Sequence, residues 1–185
     1  SWSNSAASPS APFAYDVEGA LLAEPAEHVS INGTLCVTID LEWMTFASFL
    51  RTLTTRVLGG SLPGPTLRVR AGDVLSIRFR NRLDSQSSVS QRLGDFGRSD
   101  TSSLHFHGLH GSSVLPGDDV THSVPPGGQF TYEIHIPDDH MPGTFWVHPH
   151  AHGSSTLQVG GGAALALVVM DPPGYLPPWL ANLTE

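Results

Sequence analysis

The chain of 185 residues is long enough to bury a hydrophobic core and fits one domain with tails. Nine arginines, no lysine and 17 acidic residues give a net charge of −8, which argues against general binding to a nucleic-acid backbone, where cationic side chains must displace counterions, and excludes lysine Schiff-base chemistry. The single Cys36 excludes an internal disulfide and any site built from several thiolates of this chain, and the longest apolar run, the eight residues from Ala163 to Met170, is far short of the roughly 20 needed to cross a bilayer as a helix.

Residues 1–14 begin with a Ser/Ala/Pro-rich run and are expected to form a poorly ordered lead-in, without an apolar signal segment. Asn32-Gly33-Thr34 fits the N-glycosylation triplet, as does Asn182-Leu183-Thr184. Both would suit a secreted or extracytoplasmic glycoprotein, periplasmic if the source is bacterial. From Leu35 to Leu41 apolar residues alternate with polar ones, and Phe49 to Leu58 is rich in Thr and branched side chains, both strand signatures. Thr66 to Arg70 and Val74 to Arg80 alternate on either side of Ala71-Gly72-Asp73, which predicts a hairpin with one wet face.

Further strands are predicted over Phe130 to Ile136, Thr144 to His148 and Ala163 to Met170, making seven or eight in all. With 19 Gly, 15 Pro and no helical pattern longer than two turns, the expected architecture is an antiparallel β-sandwich or barrel. Cys36, inside an alternating strand and with no histidine within seven residues, is expected to be a buried small apolar residue. Residues 172–185 are proline-rich and read as a linker to another domain or partner. All nine arginines fall between Arg51 and Arg98, where three aspartates oppose them. Their i, i+2 spacing at Arg68 and Arg70, and again at Arg78, Arg80 and Arg82, places each set on one face of a strand, as a solvated face or a surface for acidic groups.

Nine of the ten histidines lie between His105 and His152. In Leu104-His105-Phe106-His107-Gly108 the two imidazoles share one face of an extended segment, with their roots about 6.5 Å apart. Trp146-Val147-His148-Pro149-His150-Ala151-His152 repeats the arrangement at the end of another predicted strand. Four rings converging on one rim would repel one another when protonated, and a bound metal keeps them neutral, so the two pairs point to a metal site. Imidazole without thiolate suits copper, zinc, iron or nickel, copper standing highest in the affinity order. A carbonic-anhydrase-like site would need a third histidine from a further segment, and a cupin would want a glutamate shortly after the first pair; neither is recognisable.

Four blocks, in this order and spacing, resemble the first cupredoxin domain of the multicopper oxidases, the laccase-like superfamily. They are Gly60-Ser-Leu-Pro-Gly-Pro-Thr-Leu-Arg-Val-Arg-Ala-Gly-Asp, Leu104-His-Phe-His-Gly-Leu-His, Asp118-Asp-Val with Pro125-Pro-Gly-Gly-Gln-Phe-Thr-Tyr-Glu, and Gly143-Thr-Phe-Trp-Val-His-Pro-His-Ala-His-Gly running into Gln158-Val-Gly-Gly-Gly-Ala-Ala. The resemblance implies an all-β, cupredoxin-like Greek-key sandwich over residues 15–171. It implies that His105 binds a type 2 copper, that His107, His148 and His150 bind a pair of type 3 coppers, and that the cluster reduces dioxygen to water. Asp118 falls where the family carries an acid that helps deliver protons.

His152 is left out of the ligand set by the same resemblance, and His110, His122, His135 and His140 are read as surface or outer histidines. Trp146 is expected to pack the rim that holds the ligands, while Gly108 and Gly153 let the backbone turn away. A complete oxidase brings four more histidines and a type 1 copper on one Cys and two His, which this sequence lacks. Remaining oxidase domains or a partner chain would have to supply them, and alone this chain should not turn over. The alternative is a stand-alone copper-binding cupredoxin for storage, delivery or scaffolding.

Overall fold

A computed structural model describes residues 24–47, 51–85 and 99–181. The lead-in over residues 1–14, Arg92, Arg98 and the Asn182 triplet lie outside the described residues. Nine strands are present among those described: β1 (Glu27–Val29), β2 (Thr34–Ala47), β3 (Thr52–Leu58), β4 (Thr66–Val69), β5 (Val74–Asn81), β6 (His105–His107), β7 (Gln129–His135), β8 (Gly143–His148) and β9 (Leu165–Val169). Two short helices, α1 (Ser155–Gly160) and α2 (Pro178–Ala181), follow β8 and β9 respectively. No helix among the described residues is long and apolar enough to cross a membrane.

The strands form two sheets, ordered β1-β4-β9-β8-β6 and β3-β2-β5-β7. Period-two alternation explains the layer between them, because every second residue of a strand faces the same way. Leu35, Val37, Ile39 and Leu41 of β2, Leu75, Ile77 and Phe79 of β5, and Tyr132 and Ile134 of β7 are buried from one side. Leu67 and Val69 of β4, Phe106 of β6, Val147 of β8, and Leu165, Leu167 and Val169 of β9 join them in one core cluster.

The expected sandwich is present, with three corrections. The first concerns Ala71-Gly72-Asp73, which is a corner between sheets and not a hairpin: β4 pairs with β1 and β9, while β5 pairs with β2 and β7. Asp73 closes this corner by accepting the Arg70 N–H at 2.7 Å, and a Cβ on Gly72 would stand 2.8 Å from Asp138 Oδ1. Alternation fixes which residues a strand buries, but it carries no information about which strand lies beside it.

Secondly, the sheets are mixed, since β1–β4, β4–β9 and β2–β5 are parallel. Thirdly, Cys36 is exposed, because Leu35 and Val37 take the inward positions and leave it on the outer face. Three of the described arginines find acids within the domain: Arg80 makes a two-pronged contact with Asp40, which also accepts from Arg82, and Arg68 pairs with Glu27. At the β1–β2 connection Asn32 (φ 52°) and Gly33 (φ 79°) form a tight turn that leaves Asn32 exposed.

Candidate metal centre

The centre is built on the edge of the five-stranded sheet. β6 has β8 as its neighbour, in the register His105↔His148, Phe106↔Val147 and His107↔Trp146. Phe106 and Val147 point into the core, so His105, His107, Trp146 and His148 all project from the other face. Ring centroids of His105 lie 5.5 Å from His107, 5.3 Å from His148 and 5.0 Å from His150. Potential ligand atoms of His105, His107 and His148 all lie within 4.8 Å of one another. His150, just past the end of β8, is 6.0 Å from His148 between ring centroids.

Hydrogen bonds set which ring nitrogens are free. His105 Nδ1 lies 2.9 Å and 3.1 Å from the two Asp118 oxygens, an arrangement in which Nδ1–H donates and Nε2 keeps its lone pair. The Phe106 N–H also donates to Asp118, at 3.3 Å. His148 Nδ1–H donates to the Pro149 carbonyl at 2.9 Å, which leaves its Nε2 facing His107 Nδ1 at 3.3 Å. Trp146 stacks on His107, with ring centroids 5.3 Å apart, and lies 4.0 Å from His148. Its expected place on the rim is therefore where it stands. Gly108 takes φ 86°, a value open to glycine, and turns the chain away just after His107.

Burial pushes the His148 imidazole below its ordinary value of 6.5 by desolvating the cation; the Pro149 carbonyl works against this, and the charges of His105, His107 and His150 add to it. Folded protein then binds this proton less well than the unfolded chain does, so stability is lost as pH falls through the ordinary histidine range. In metal-free protein the thermal midpoint should fall as pH is lowered from about 7.5 to about 5.5, and His148→Gln should flatten part of that fall. An equal pH dependence in both proteins would contradict this origin.

The other histidines separate from the cluster. His140 is buried with both nitrogens used, Nδ1–H donating to the Met141 carbonyl at 2.7 Å and Nε2 accepting the His110 N–H at 3.0 Å, so it braces the loop after β6. His122 packs on Phe130, His135 pairs with Glu133, and His152 is exposed. Sequence reasoning assigns no role to Tyr132, Ser103 and Gln158, which hold the backbone around the ligands. Tyr132 OH accepts the Leu104 N–H at 2.9 Å, one residue before His105, and burial pushes its phenol up to about 12, so it stays protonated. A buried polar residue and an exposed one look alike in a single sequence.

Comparison with known proteins points to one family. A family model described as multicopper oxidase matches residues 98–173. The chain is 35% identical over 137 residues to the multicopper oxidase MmcO of Mycobacterium tuberculosis, an alignment covering 72% of this chain and 23% of that protein. It is 32% identical over 115 residues to laccase-2 of Cryptococcus neoformans, covering 60% of this chain and 16% of that one. Among solved structures, a multi-copper oxidase from Pseudomonas thermotolerans superposes with a TM-score of 0.58 at 30% identity, over 76% of this chain and 31% of that one. A laccase from Pediococcus acidilactici superposes with a TM-score of 0.65 at 21% identity, over 83% of this chain and 31% of its own, and shows the fold. The chain thus spans less than a third of the length of each of these relatives.

Proposed function

Because this chain carries a laccase-like cupredoxin domain of the multicopper oxidase family, we propose that it contributes four imidazoles to a trinuclear copper cluster that reduces dioxygen to water. The observation that carries this reading is the set of three imidazoles whose ligand atoms fall within 4.8 Å, two of them, His105 and His148, with Nδ1 engaged by an oxygen so that Nε2 is turned toward the cluster. This all-nitrogen donor set fits copper. His105 would hold the type 2 ion, and His107, His148 and His150 the type 3 pair. Copper supplies one-electron chemistry, cycling between two oxidation states as zinc cannot.

The chain's own residues do the rest of what can be derived. Asp118 keeps the proton on His105 Nδ1 and orients that ring, and the same carboxylate can take up or release a proton beside the cluster. Trp146 covers His107 and His148 on one side and limits their rotation. The four remaining histidines and the type 1 copper that accepts electrons from the reducing substrate are assigned to further domains or a partner chain, linked through residues 172–185. On its own this chain is assigned no turnover. An extracytoplasmic setting fits the reading, with Asn32 in its exposed turn open to glycosylation.

The test is copper analysis of the full-length protein, together with its native mass and its visible spectrum. A mass several times that of this chain, a blue copper–thiolate band and dioxygen consumption would support the oxidase. A native protein no larger than this chain, holding copper without the blue band, would instead establish the stand-alone copper-binding cupredoxin.

A further inference from the structure

The β6–β8 ladder spans three residue pairs and stops at His105↔His148. His150 lies beyond it, yet its ring comes within 5.0 Å of His105 between centroids. Side chains continue the connection where the ladder ends. The His150 N–H donates to Ser103 Oγ at 3.2 Å, and Ser154 Oγ donates to the Thr101 carbonyl at 2.7 Å. Gln158, on α1, makes three bonds to the segment that leads into β6. Its Nε2 donates to the Ser99 and Thr101 carbonyls at 3.1 and 2.9 Å, and its Oε1 accepts from Ser102 Oγ at 2.9 Å. Ser102, Ser103, Ser154 and Gln158 have no exposed surface.

The helix that carries Gln158 is itself fixed at both ends. Ser154 and Ser155 donate their N–H groups to the Ala151 carbonyl, tying α1 to the segment that contains His150. At the other end Thr55 Oγ1, from β3 of the opposite sheet, donates to the Gly161 carbonyl at 2.6 Å. The Gln158 amide therefore acts as a substitute rung between the two histidine-bearing segments. In this buried site, loss of the Gln158 amide leaves the Ser99 carbonyl to find another partner, while the Thr101 carbonyl keeps only its bond from Ser154 and the Ser102 hydroxyl only a longer one to the Ser103 carbonyl at 3.4 Å, so the segment entering β6 is free to shift past the one that carries His150.

We propose that Gln158 is a positioning residue of the metal centre, which sets the register of the His148–His150 segment against the segment entering β6 and so places His150 beside His105. This rests on the copper-cluster reading above, and the experiment separates the two. Gln158→Met keeps length and approximate volume and removes all three hydrogen bonds. Ile77→Val, in the core far from the histidines in sequence and on the other sheet, serves as the control for general destabilisation.

In the full-length protein Gln158→Met should weaken copper affinity about 10-fold, the range for loss of an outer hydrogen-bonding partner. Its Cu(II) electron paramagnetic resonance spectrum should move toward that of His150→Ala, while Ile77→Val keeps the wild-type spectrum and affinity. If Gln158→Met matches Ile77→Val in both readouts, the positioning role is overturned. Should Gln158→Met fail to fold, Ser103→Ala removes only the bond to the His150 N–H and is judged by the same two readouts. If His150→Ala itself leaves copper binding unchanged, the cluster reading fails and takes the positioning role with it.

Discussion

Replacing His148 by alanine should lower copper affinity more than about 100-fold, beyond what loss of an outer hydrogen-bonding partner costs. His148 occupies the middle of the site: its Nε2 faces His107 at 3.3 Å, its ring is flanked by His105 and His150, and Trp146 covers it. It is also the ring whose neutral form burial favours, so it is ready to ligate without first losing a proton. Metal-free stability should change little, by about 1 kcal/mol, because the variant removes a desolvated imidazole crowded by three others as well as some packing. The measurement is copper content after dialysis against a competing chelator, paired with a urea melt of the metal-free protein. Wild-type copper retention in the variant would contradict the assignment of His148 as a ligand.

What the sequence discloses about this site follows from strand geometry. His-x-His on an extended segment puts both rings on one face by necessity, so each pair was legible from spacing alone. The meeting of the two pairs was not, since the register that opposes His105 to His148 joins segments some forty residues apart and is decided by packing. The same limit misassigned Ala71-Gly72-Asp73, because β4 and β5 have equally clean alternation but end in different sheets. Cys36 was misread in spite of the alternation: Leu35 and Val37 already claimed the inward positions. The six-residue α1 leaves no signal among Gly160, Gly161 and Gly162, so Gln158, though part of the fourth block, carries no assigned role in the sequence. No local cue separates Asp118 from its neighbour Asp119; the family resemblance singles out Asp118, and in the fold it is Asp118 that reaches His105, while Asp119 caps the Thr121 turn.

Phe106→Ala should cost about 3–5 kcal/mol of stability, the usual range for emptying a buried aromatic site. Phe106 is 1% exposed and sits between His105 and His107 on a strand of only three residues. Its ring meets Tyr132 edge-on, with centroids 5.8 Å apart, and Tyr132 in turn contacts Phe79 and Phe130 of the opposite sheet. Through this contact a short edge strand is held against the second sheet, aided by the Tyr132 OH that accepts from Leu104. Removing the ring therefore loosens the element that presents two of the four imidazoles, and copper affinity should fall along with stability. His148→Ala, by contrast, should lose copper while the apo fold persists. The two variants thus separate ligation from the packing that makes ligation possible, and urea melts with and without copper distinguish them. A cost below about 1.5 kcal/mol for Phe106→Ala, the scale of a volume-conserving swap, would show that β6 is held mainly by its ladder with β8.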